Sequence, residues 1–182
     1  VFSERVRREI FHQKIGGKRW LEIHEVAHKL GIPSNSTLLY GHIETRGERV
    51  QHMIDLRDSE DRVPGYFAFI PLAFQPGVTG LVKRQASAIE DLKTIAISRL
   101  VLDNIPHLKS YWIMLGQDTA SAAISFGAND LDGTIGQEKI AHAALAKSPV
   151  GMAEEGMVHM IQEADRIPVQ RDALYRVIKE YP

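Results

Sequence analysis

The sequence has 182 residues and a mass of 20.4 kDa, the size of one ordinary domain or of part of a larger one. Its 22 lysines and arginines and 23 aspartates and glutamates leave a net charge of -1, so the composition does not favour nucleic acid or anionic lipid as a partner. Cysteine is absent, which excludes disulfides, thiolate zinc sites, cysteine nucleophiles and cysteine-ligated clusters built by this chain alone.

The composition is that of a folded globular protein, with 44% hydrophobic and 25% charged residues. No apolar run reaches the roughly 18 residues of a membrane span, and no apolar stretch precedes a small-residue cleavage site. We therefore expect a cytoplasmic protein without a membrane partner. A single domain is expected over residues 1–182. Since Val1 leads at once into a helical pattern over Phe2–Ile10, we expect this domain to be a piece of something longer.

Helical patterns and short apolar runs alternate along the first half of the chain. Lys18–Leu30 is predicted to be a helix that packs on a core, and Ser36–Tyr40 has the length and composition of a buried strand. Thr45 and Glu48 have the spacing of a capping box at the start of the next helix. The apolar stripes expected to face the core are Trp20, Ile23, Ala27 and Leu30 on the first of these helices, and Val50, Met53 and Ile54 on the second.

The pattern then repeats. Tyr66–Phe74 is almost wholly apolar and is predicted to be a strand with a bulge or kink at Pro71. Ser87 and Glu90 predict a second capping box before a long helix. The stripe expected on that helix consists of Ile89, Leu92, Ile95, Ala96 and Leu100.

Two more short strands are expected in the second half of the chain. They are Ser110–Leu115 and Ala123–Phe126, with a short helix over Gln117–Ala122 between them. A loop follows from Gly127 to Thr134. The remainder is predicted to be helical, with breaks at 148–151 and at Pro168.

Buried strands separated by helices imply parallel strands with crossover connections, so the fold class is α/β. Four such units make half of an eight-stranded (β/α)8 barrel of the TIM type, or a small open sheet. In such barrels the site lies at the carboxyl ends of the strands. Polar residues follow the predicted strands at these ends: His42, Glu44, Gln75, Gln117, Asn129, Asp130 and Asp132.

His24-Glu25-Val-Ala-His28 matches the HExxH pattern, in which two histidines one turn apart bind zinc and the glutamate polarises a bound water. An extended motif of this kind would place a third histidine where Ser34 stands. The alternative is that both histidines flank an ordinary amphipathic helix. Asn129, Asp130 and Asp132 have a similar alternative to ligand binding, because such residues also favour turns and helix caps.

Several segments together resemble the C-terminal half of the aminodeoxyfutalosine synthase family, which are radical S-adenosylmethionine enzymes of menaquinone biosynthesis by the futalosine route. The resemblance covers the chain from Phe2 to Arg171-Asp-Ala-Leu-Tyr175. The segments that carry it are Tyr40-Gly-His-Ile-Glu-Thr45, Phe69-Ile-Pro-Leu-Ala-Phe74, Asp91-Leu-Lys-Thr-Ile-Ala-Ile-Ser-Arg-Leu100, Leu102-Asp-Asn-Ile-Pro106, Tyr111-Trp-Ile-Met-Leu-Gly116 and Ser125-Phe-Gly-Ala-Asn-Asp-Leu-Asp-Gly-Thr134.

The resemblance implies half of a (β/α)8 barrel and a transferase reaction in the intact enzyme. S-adenosylmethionine bound to a four-iron four-sulfur cluster yields a 5'-deoxyadenosyl radical, which adds to 3-[(1-carboxyvinyl)oxy]benzoate and gives 6-amino-6-deoxyfutalosine. The family holds its cluster with a CxxxCxxC loop that this chain lacks, so the chain alone is expected to be inactive. A similar helix precedes the Gly-His-Ile-Glu strand in the family and carries no zinc there.

Matching by position assigns Gly41, His42 and Glu44 to contact with S-adenosylmethionine. Gln75 stands where the family resemblance leads us to expect a histidine, and the resemblance places it on the loops that face the substrate. Asn129, Asp130 and Asp132 lie on the same loops by the resemblance. The residues Leu131-Asp-Gly-Thr134 and Tyr111–Leu115 favour the synthase over its sisters, the dehypoxanthine futalosine cyclase and the deazaflavin-forming synthases.

A half-barrel would expose two unpaired strand edges and an apolar inner face. We therefore expect the chain to pair with its missing N-terminal half or with a second copy of itself. A cysteine-free relative that acts only as a binding module is a further alternative.

Overall fold

The computed structural model describes residues 1–77, 79–132, 143, 149 and 151–182. Helices and strands alternate along most of this length, as predicted. In chain order the elements are α1 (Glu4–Ile10), α2 (Gly17–Lys29), β1 (Ser34–Tyr40), α3 (Arg46–Arg62), β2 (Tyr66–Ala73), α4 (Ala88–Val101), β3 (His107–Ser110), α5 (Trp112–Leu115), α6 (Gln117–Ile124), β4 (Asp130–Leu131), α7 (Glu154–Glu163), β5 (Val169–Arg171) and β6 (Val177–Glu180).

The four strands β1 to β4 form one sheet in sequential order, and every neighbouring pair is parallel. This confirms the predicted α/β class with four parallel strands, in the order expected of half a barrel. The predicted bulge at Pro71 is wrong, because the irregularity lies between Ser34 and Asn35. Pro71 is tolerated since β3 pairs with β2 only at Ala68 and Phe69, so the proline lies beyond that contact.

The hydrophobic core lies on one face of the sheet, between the strands and helices α3 to α6. Buried and less buried residues alternate along most of β1, which is the pattern of a strand with one face covered. On its opposite face, Asn35 and Thr37 are exposed. The core includes Leu38, Tyr40, Met53, Leu56, Phe69, Ile95, Leu108, Trp112 and Ile113.

The third and fourth strands differ from the prediction. β3 occupies His107–Ser110, and most of the apolar run predicted as a strand forms the short helix α5 instead. The predicted strand Ala123–Phe126 is the end of α6 and the turn after it, and β4 is formed by Asp130 and Leu131. A short apolar run is buried equally well as a helix or as a strand, so periodicity does not separate the two.

Within residues 151–182 the chain is helical over α7 and then forms two strands, which corrects the predicted helical tail there. Strands β5 and β6 form an antiparallel hairpin, and the predicted helix before residue 148 lies mostly outside the described residues. The hairpin contacts the open face of the main sheet. The ring of Tyr175 stacks on His107 with centroids 4.4 Å apart and lies 5.2 Å from the ring of Phe67, while Arg171 forms an ion pair with Asp130.

Both predicted helix starts are present, with one difference. Thr45 and Glu48 form the complete capping box. Ser87 accepts the amide hydrogen of Glu90, but the Glu90 carboxylate bonds to Arg46 across the α3–α4 interface. The spacing of these residues therefore predicted the starts of both helices correctly. In the second one, an ion pair with Arg46 replaces the expected hydrogen bond from the Ser87 amide to the Glu90 carboxylate.

Only part of the predicted apolar stripe of α2 faces the core: Trp20 packs against it, but Ile23 and Leu30 do not, which corrects the sequence-based expectation at those two positions. Ile23 and Leu30 are 46% and 71% exposed, as is Val26 at 56%. Glu25, two residues after Ile23 and so about 200° further around the helix, bonds to Ser59 on α3. The exposed apolar residues therefore lie on the flank of α2 that points away from α3. Other residues of the predicted stripes that are exposed are Ile54, Ile89 and Leu100.

Candidate functional site

The turn after β1 is organised by a buried carboxylate. Glu44 accepts hydrogen bonds from the backbone N–H groups of Gly41, at 2.6 Å, and His42, at 2.9 Å. Gly41 has φ +84°, and a Cβ there would meet the Cβ of Ala86 at 3.3 Å. Any larger residue would therefore strain this turn. The turn lies at the carboxyl end of β1, where a barrel of this type has its site.

Glu44 is neutralised by an arginine from the next helix. Nη2 of Arg49 lies 2.8 Å from Oε1 of Glu44, and the Glu44 side chain has no exposed surface. The guanidinium also donates to Glu90, at 3.0 Å, and to Thr94, at 2.7 Å, and it lies over the ring of Tyr40. With three donors around it and no exposed side-chain surface, the carboxylate is a positioning group for the turn.

The His42 side chain is equally enclosed. Its Nε2 lies 3.0 Å from the carbonyl oxygen of Leu39, and a carbonyl only accepts, so this nitrogen carries the proton. Nδ1 accepts from the Ile43 amide at 2.7 Å and lies 3.0 Å from Glu44 Oε2. Burial lowers the pKa of His42, although the Glu44 carboxylate opposes the shift. The neutral imidazole is the form that the two backbone contacts favour.

A second buried acid lies beneath this turn. The Tyr40 hydroxyl donates to Oδ1 of Asp91 at 2.6 Å, and burial raises the pKa of the Asp91 carboxyl to about 6. Burial also raises the pKa of the Tyr40 hydroxyl. The two groups connect β1 to α4 directly below the predicted cofactor contact.

Asp91 is expected to make the stability of the protein depend on pH. Its folded pKa of about 6 exceeds the ordinary value of 3.8, so stability should fall as pH rises from about 4 to about 6, and level off above that. Asp91→Asn keeps an acceptor for Tyr40 and should remove about 2 kcal/mol of this dependence. Urea unfolding at pH 4.5 and 7.5 measures it, with the exposed Asp58→Asn as control. Equal pH dependence in Asp91→Asn and wild type would contradict the expectation.

Gln75 follows β2 and connects it to α5. Its side-chain nitrogen donates to the carbonyl oxygens of Ala73, at 3.1 Å, and Met114, at 3.2 Å. The residue is buried and lines a cavity of about 760 Å³ at the carboxyl ends of β2 and β3. Gln117 lines the same cavity. Two of the predicted polar residues are thus brought together there.

The three predicted residues near β4 occupy different places. Asn129 lies at the start of the strand, because β4 begins later than predicted, and its side chain bonds to Arg99 and to the Leu108 amide. Asp130 is buried on the open face of the sheet. Asp132 follows the strand at its carboxyl end, where Nζ of Lys109 lies 2.7 Å from its carboxylate. Of the three, Asp132 is the one placed at the expected site.

The zinc-site alternative is contradicted by the geometry of the two histidines. His28 Nδ1 lies 3.1 Å from the Val63 carbonyl oxygen and therefore donates to it, which leaves Nε2 to accept from the Ser34 hydroxyl at 2.8 Å. The same hydroxyl lies 2.7 Å from His24 Nδ1, and Glu25 bonds to Arg62. His28 thus has no lone pair for a metal. Within the described ranges, no group of three metal-binding side chains is found.

A four-iron four-sulfur cluster does not fit this chain, because no cysteine is available to ligate it. S-adenosylmethionine fits the turn after β1 only through main-chain surface, because the side chains of His42 and Glu44 have no exposed area. No described helix has the length and apolarity required to cross a bilayer.

Sequence reasoning did not single out four cations around the strand ends. Arg49 and Lys109 bind predicted acids from neighbouring elements, and Lys83 and Arg84 line the cavity beside Gln75. Arg49 lies five residues after Glu44, a spacing that an inspection for ion pairs could have found. The loop that carries Lys83 and Arg84 has no periodicity or motif from which one could predict that these two side chains line the cavity.

Comparison with known proteins gives one family and several long matches. Residues 63–182 match the family model described as the CofH/MqnC C-terminal region. The aminodeoxyfutalosine synthase of Thermus thermophilus is 46% identical over 184 residues, covering 98% of this chain and 50% of that protein. The cyclic dehypoxanthine futalosine synthase of Streptomyces coelicolor is 40% identical over 176 residues, covering 96% and 44%.

A third relative has another reaction in its name. The 5-amino-6-(D-ribitylamino)uracil–L-tyrosine 4-hydroxyphenyl transferase of Methanothermobacter thermautotrophicus is 37% identical over 186 residues, covering 99% of this chain and 51% of that protein. The chain therefore spans about half the length of the curated relatives that it matches. Because the family match covers residues 63–182, well over half of the sequence, the chain belongs to the CofH/MqnC C-terminal region family.

Proposed function

We propose that this chain forms the C-terminal half of a (β/α)8 barrel whose intact protein is an aminodeoxyfutalosine synthase of menaquinone biosynthesis. The observation that carries the proposal is the 46% identity to the Thermus thermophilus enzyme over 98% of this chain. The reaction joins a 5'-deoxyadenosyl group to 3-[(1-carboxyvinyl)oxy]benzoate, and loss of carbon dioxide gives 6-amino-6-deoxyfutalosine. The four parallel strands support the proposal, because they provide four of the eight strands of such a barrel.

The cluster and its thiolate ligands belong, in this proposal, to the other half of the barrel. S-adenosylmethionine bound at that cluster supplies the 5'-deoxyadenosyl radical. Thiolate ligation also requires a reducing compartment, which supports a location in the cytoplasm. This chain supplies positioning: Glu44 and Arg49 hold the turn after β1, and the backbone at Gly41 presents a surface without a side chain. Gln75 follows β2 and Asp132 follows β4, so both lie at carboxyl ends of strands, where the substrate would bind.

The test is a product assay with the intact protein encoded by the gene that contains this chain. The protein should be purified without oxygen, loaded with iron and sulfide, and supplied with S-adenosylmethionine and a reductant. Formation of 6-amino-6-deoxyfutalosine from the enol ether is the expected result. Conversion of dehypoxanthine futalosine, or coupling of tyrosine to the ribitylaminouracil, in its place would assign the chain to one of the two sister reactions.

We propose that the N-terminal half of the barrel packs against the β1 side of this chain. β1 is an outer strand of the sheet, so one of its edges is unpaired by the described strands. The exposed apolar flank of α2, formed by Ile23, Val26 and Leu30, precedes this strand and points away from α3. A full barrel places a strand and a helix at these two positions. Charge would not drive this contact, because the flank is apolar.

The expected consequence concerns Val26 in the intact protein. Val26→Asp should destabilise the protein by about 2 kcal/mol, because the flank of α2 is buried when the barrel is complete. Leu100→Asp is the matched control: Leu100 is 79% exposed on α4, whose two flanks already contact α3 and α6, so its effect should stay within about 0.5 kcal/mol. Thermal unfolding compares the two variants.

Equal effects of the two substitutions would show that the α2 flank faces solvent and would overturn the proposed packing. A second copy of the chain is the alternative occupant of this flank. In that case the mass measured by sedimentation would rise with concentration, and Val26→Asp would abolish the rise.

A further inference from the structure

The cavity beside Gln75 lies where a barrel of this class binds its substrate. It has a volume of about 760 Å³, within the range of roughly 300–1,000 Å³ that is usual for small-molecule sites. Its walls come from the loop after β2, which contains Gln75 and Arg84, and from α5 and the start of α6, which contain Met114 and Gln117. Both walls follow the carboxyl ends of strands, so the cavity opens at that end of the sheet.

One wall of the cavity carries two cations. Lys83 and Arg84 are adjacent, exposed residues that line the cavity. Among the described lining residues, Asp118 is the one with an acidic side chain. In the part of the chain that the structure describes, neither Lys83 nor Arg84 forms an ion pair, whereas Lys109 and Arg49 at the neighbouring strand ends are both paired with acids. The two cations are therefore available to bind an anion that enters the cavity.

The opposite wall is apolar and held in place by hydrogen bonds. Ile113, Met114 and Leu115 line it; Met114 is half-buried and presents apolar surface, while Ile113 and Leu115 are buried behind it in the core. The side-chain nitrogens of Gln75 and Gln85 both donate to the Met114 carbonyl oxygen, at 3.2 and 2.6 Å. These two bonds connect the loop after β2 to α5. The cavity thus combines an apolar surface with two cations on the loop across from it.

We propose that this cavity binds the carboxylates of an aromatic dicarboxylate, with Arg84 and Lys83 as the binding cations and the α5 wall against the ring. The inference rests on the proposed function, since 3-[(1-carboxyvinyl)oxy]benzoate has a benzoate and an enol-ether carboxylate. A guanidinium binds a carboxylate through two parallel hydrogen bonds, and an ammonium acts as a point charge. Arg84 therefore fixes the orientation of one carboxylate, and Lys83 adds attraction.

The experiment uses the intact protein with Arg84→Gln and Lys83→Gln. The KM for the enol ether should rise about 10- to 100-fold in Arg84→Gln and less in Lys83→Gln, because charge-assisted hydrogen bonds to the carboxylate are lost. The kcat should change far less, and Arg84→Lys should restore part of the loss. Lys29→Gln at the exposed end of α2 is the matched control and should leave KM unchanged.

Binding of isophthalate, measured by calorimetry, separates this inference from the proposed function. Isophthalate is expected to bind the wild type and to lose affinity in Arg84→Gln, while the uncharged isophthalamide should bind neither. If the enol ether is not a substrate but isophthalate behaves in this way, the dicarboxylate site stands and the proposed function fails. If the enol ether is turned over with the same KM in all variants, the proposed function stands and the inference is overturned.

Discussion

Glutamine in place of Glu44 is expected to destabilise the protein by about 2 to 3 kcal/mol, because it removes one of the two carboxylates that compensate the buried Arg49 guanidinium and gives the turn a poorer acceptor. The carboxylate accepts from two backbone amides and from the guanidinium, and its side chain is fully buried. A glutamine side chain has one acceptor oxygen, so its NH2 group would face either the turn or Arg49, and both of these are donors.

If the proposed function holds, the same substitution should also lower turnover in the intact protein, because the turn at Gly41 would lose one of its two side-chain acceptor oxygens. Urea unfolding measures the first effect and the product assay the second. Glu22→Gln is the matched control, since Glu22 forms an exposed pair with Arg19 and its loss should cost less than about 0.5 kcal/mol. A stable Glu44→Gln protein with altered affinity for S-adenosylmethionine would instead mean that Glu44 contacts the cofactor directly.

The sequence predicted the elements whose signals are local. The Thr45 capping box located α3, and apolar runs bounded by polar turns located β1 and β2 to within two residues. The prediction of a strand over Trp112–Leu115 was wrong, because these apolar residues are buried equally well in a helix and in a strand. The hairpin of β5 and β6 was missed for a different reason. Its edges are stabilised by contacts with the sheet, such as Tyr175 on His107, that no local pattern contains.

The candidate site was predictable in position but not in detail. The rule that polar residues gather at carboxyl ends of parallel strands located Glu44, Gln75 and Asp132. It could not show that Glu44 faces inward to Arg49, because that contact depends on how α3 packs on β1. The α2 stripe shows the same limit: its period was correct, but an apolar flank can face a neighbouring element as well as the chain's own core.

Different elements of this chain lie at the two ends of the sheet. At the amino end, the β5–β6 hairpin covers the open face, with Tyr175 near His107 and Phe67 and with Arg171 paired to Asp130. At the carboxyl end, the loops after β2 and β3 leave the cavity with Lys83 and Arg84. The hairpin covers the open face only in part, because together with α7 it borders a second cavity of about 810 Å³.

The helix α2 is joined to the sheet by a close approach that only glycine allows. A Cβ at Gly65 would lie 2.2 Å from Cγ of His28 and 2.6 Å from Nδ1, which is well inside van der Waals contact. The His28 ring is held there by bonds to the Val63 carbonyl oxygen and the Ser34 hydroxyl, so it cannot turn aside without breaking both. The second histidine of the HExxH pattern, His28, therefore has a packing role, and the absence of a side chain at Gly65 leaves space for its ring.

Gly65→Ala is accordingly expected to cost about 3 kcal/mol of stability, since the added methyl group must displace the imidazole and the helix that carries it. Gly47→Ala is the matched control: its Cβ would lie 3.9 Å from Thr45 Oγ1, so alanine in α3 should be neutral or stabilise by up to about 1 kcal/mol. Thermal unfolding of both variants tests this. In the double variant His28→Ala with Gly65→Ala, the two losses should be far from additive, because the ring that clashes is gone. Strictly additive losses would show that the cost at Gly65 arises from the backbone alone and would contradict a packing role for His28.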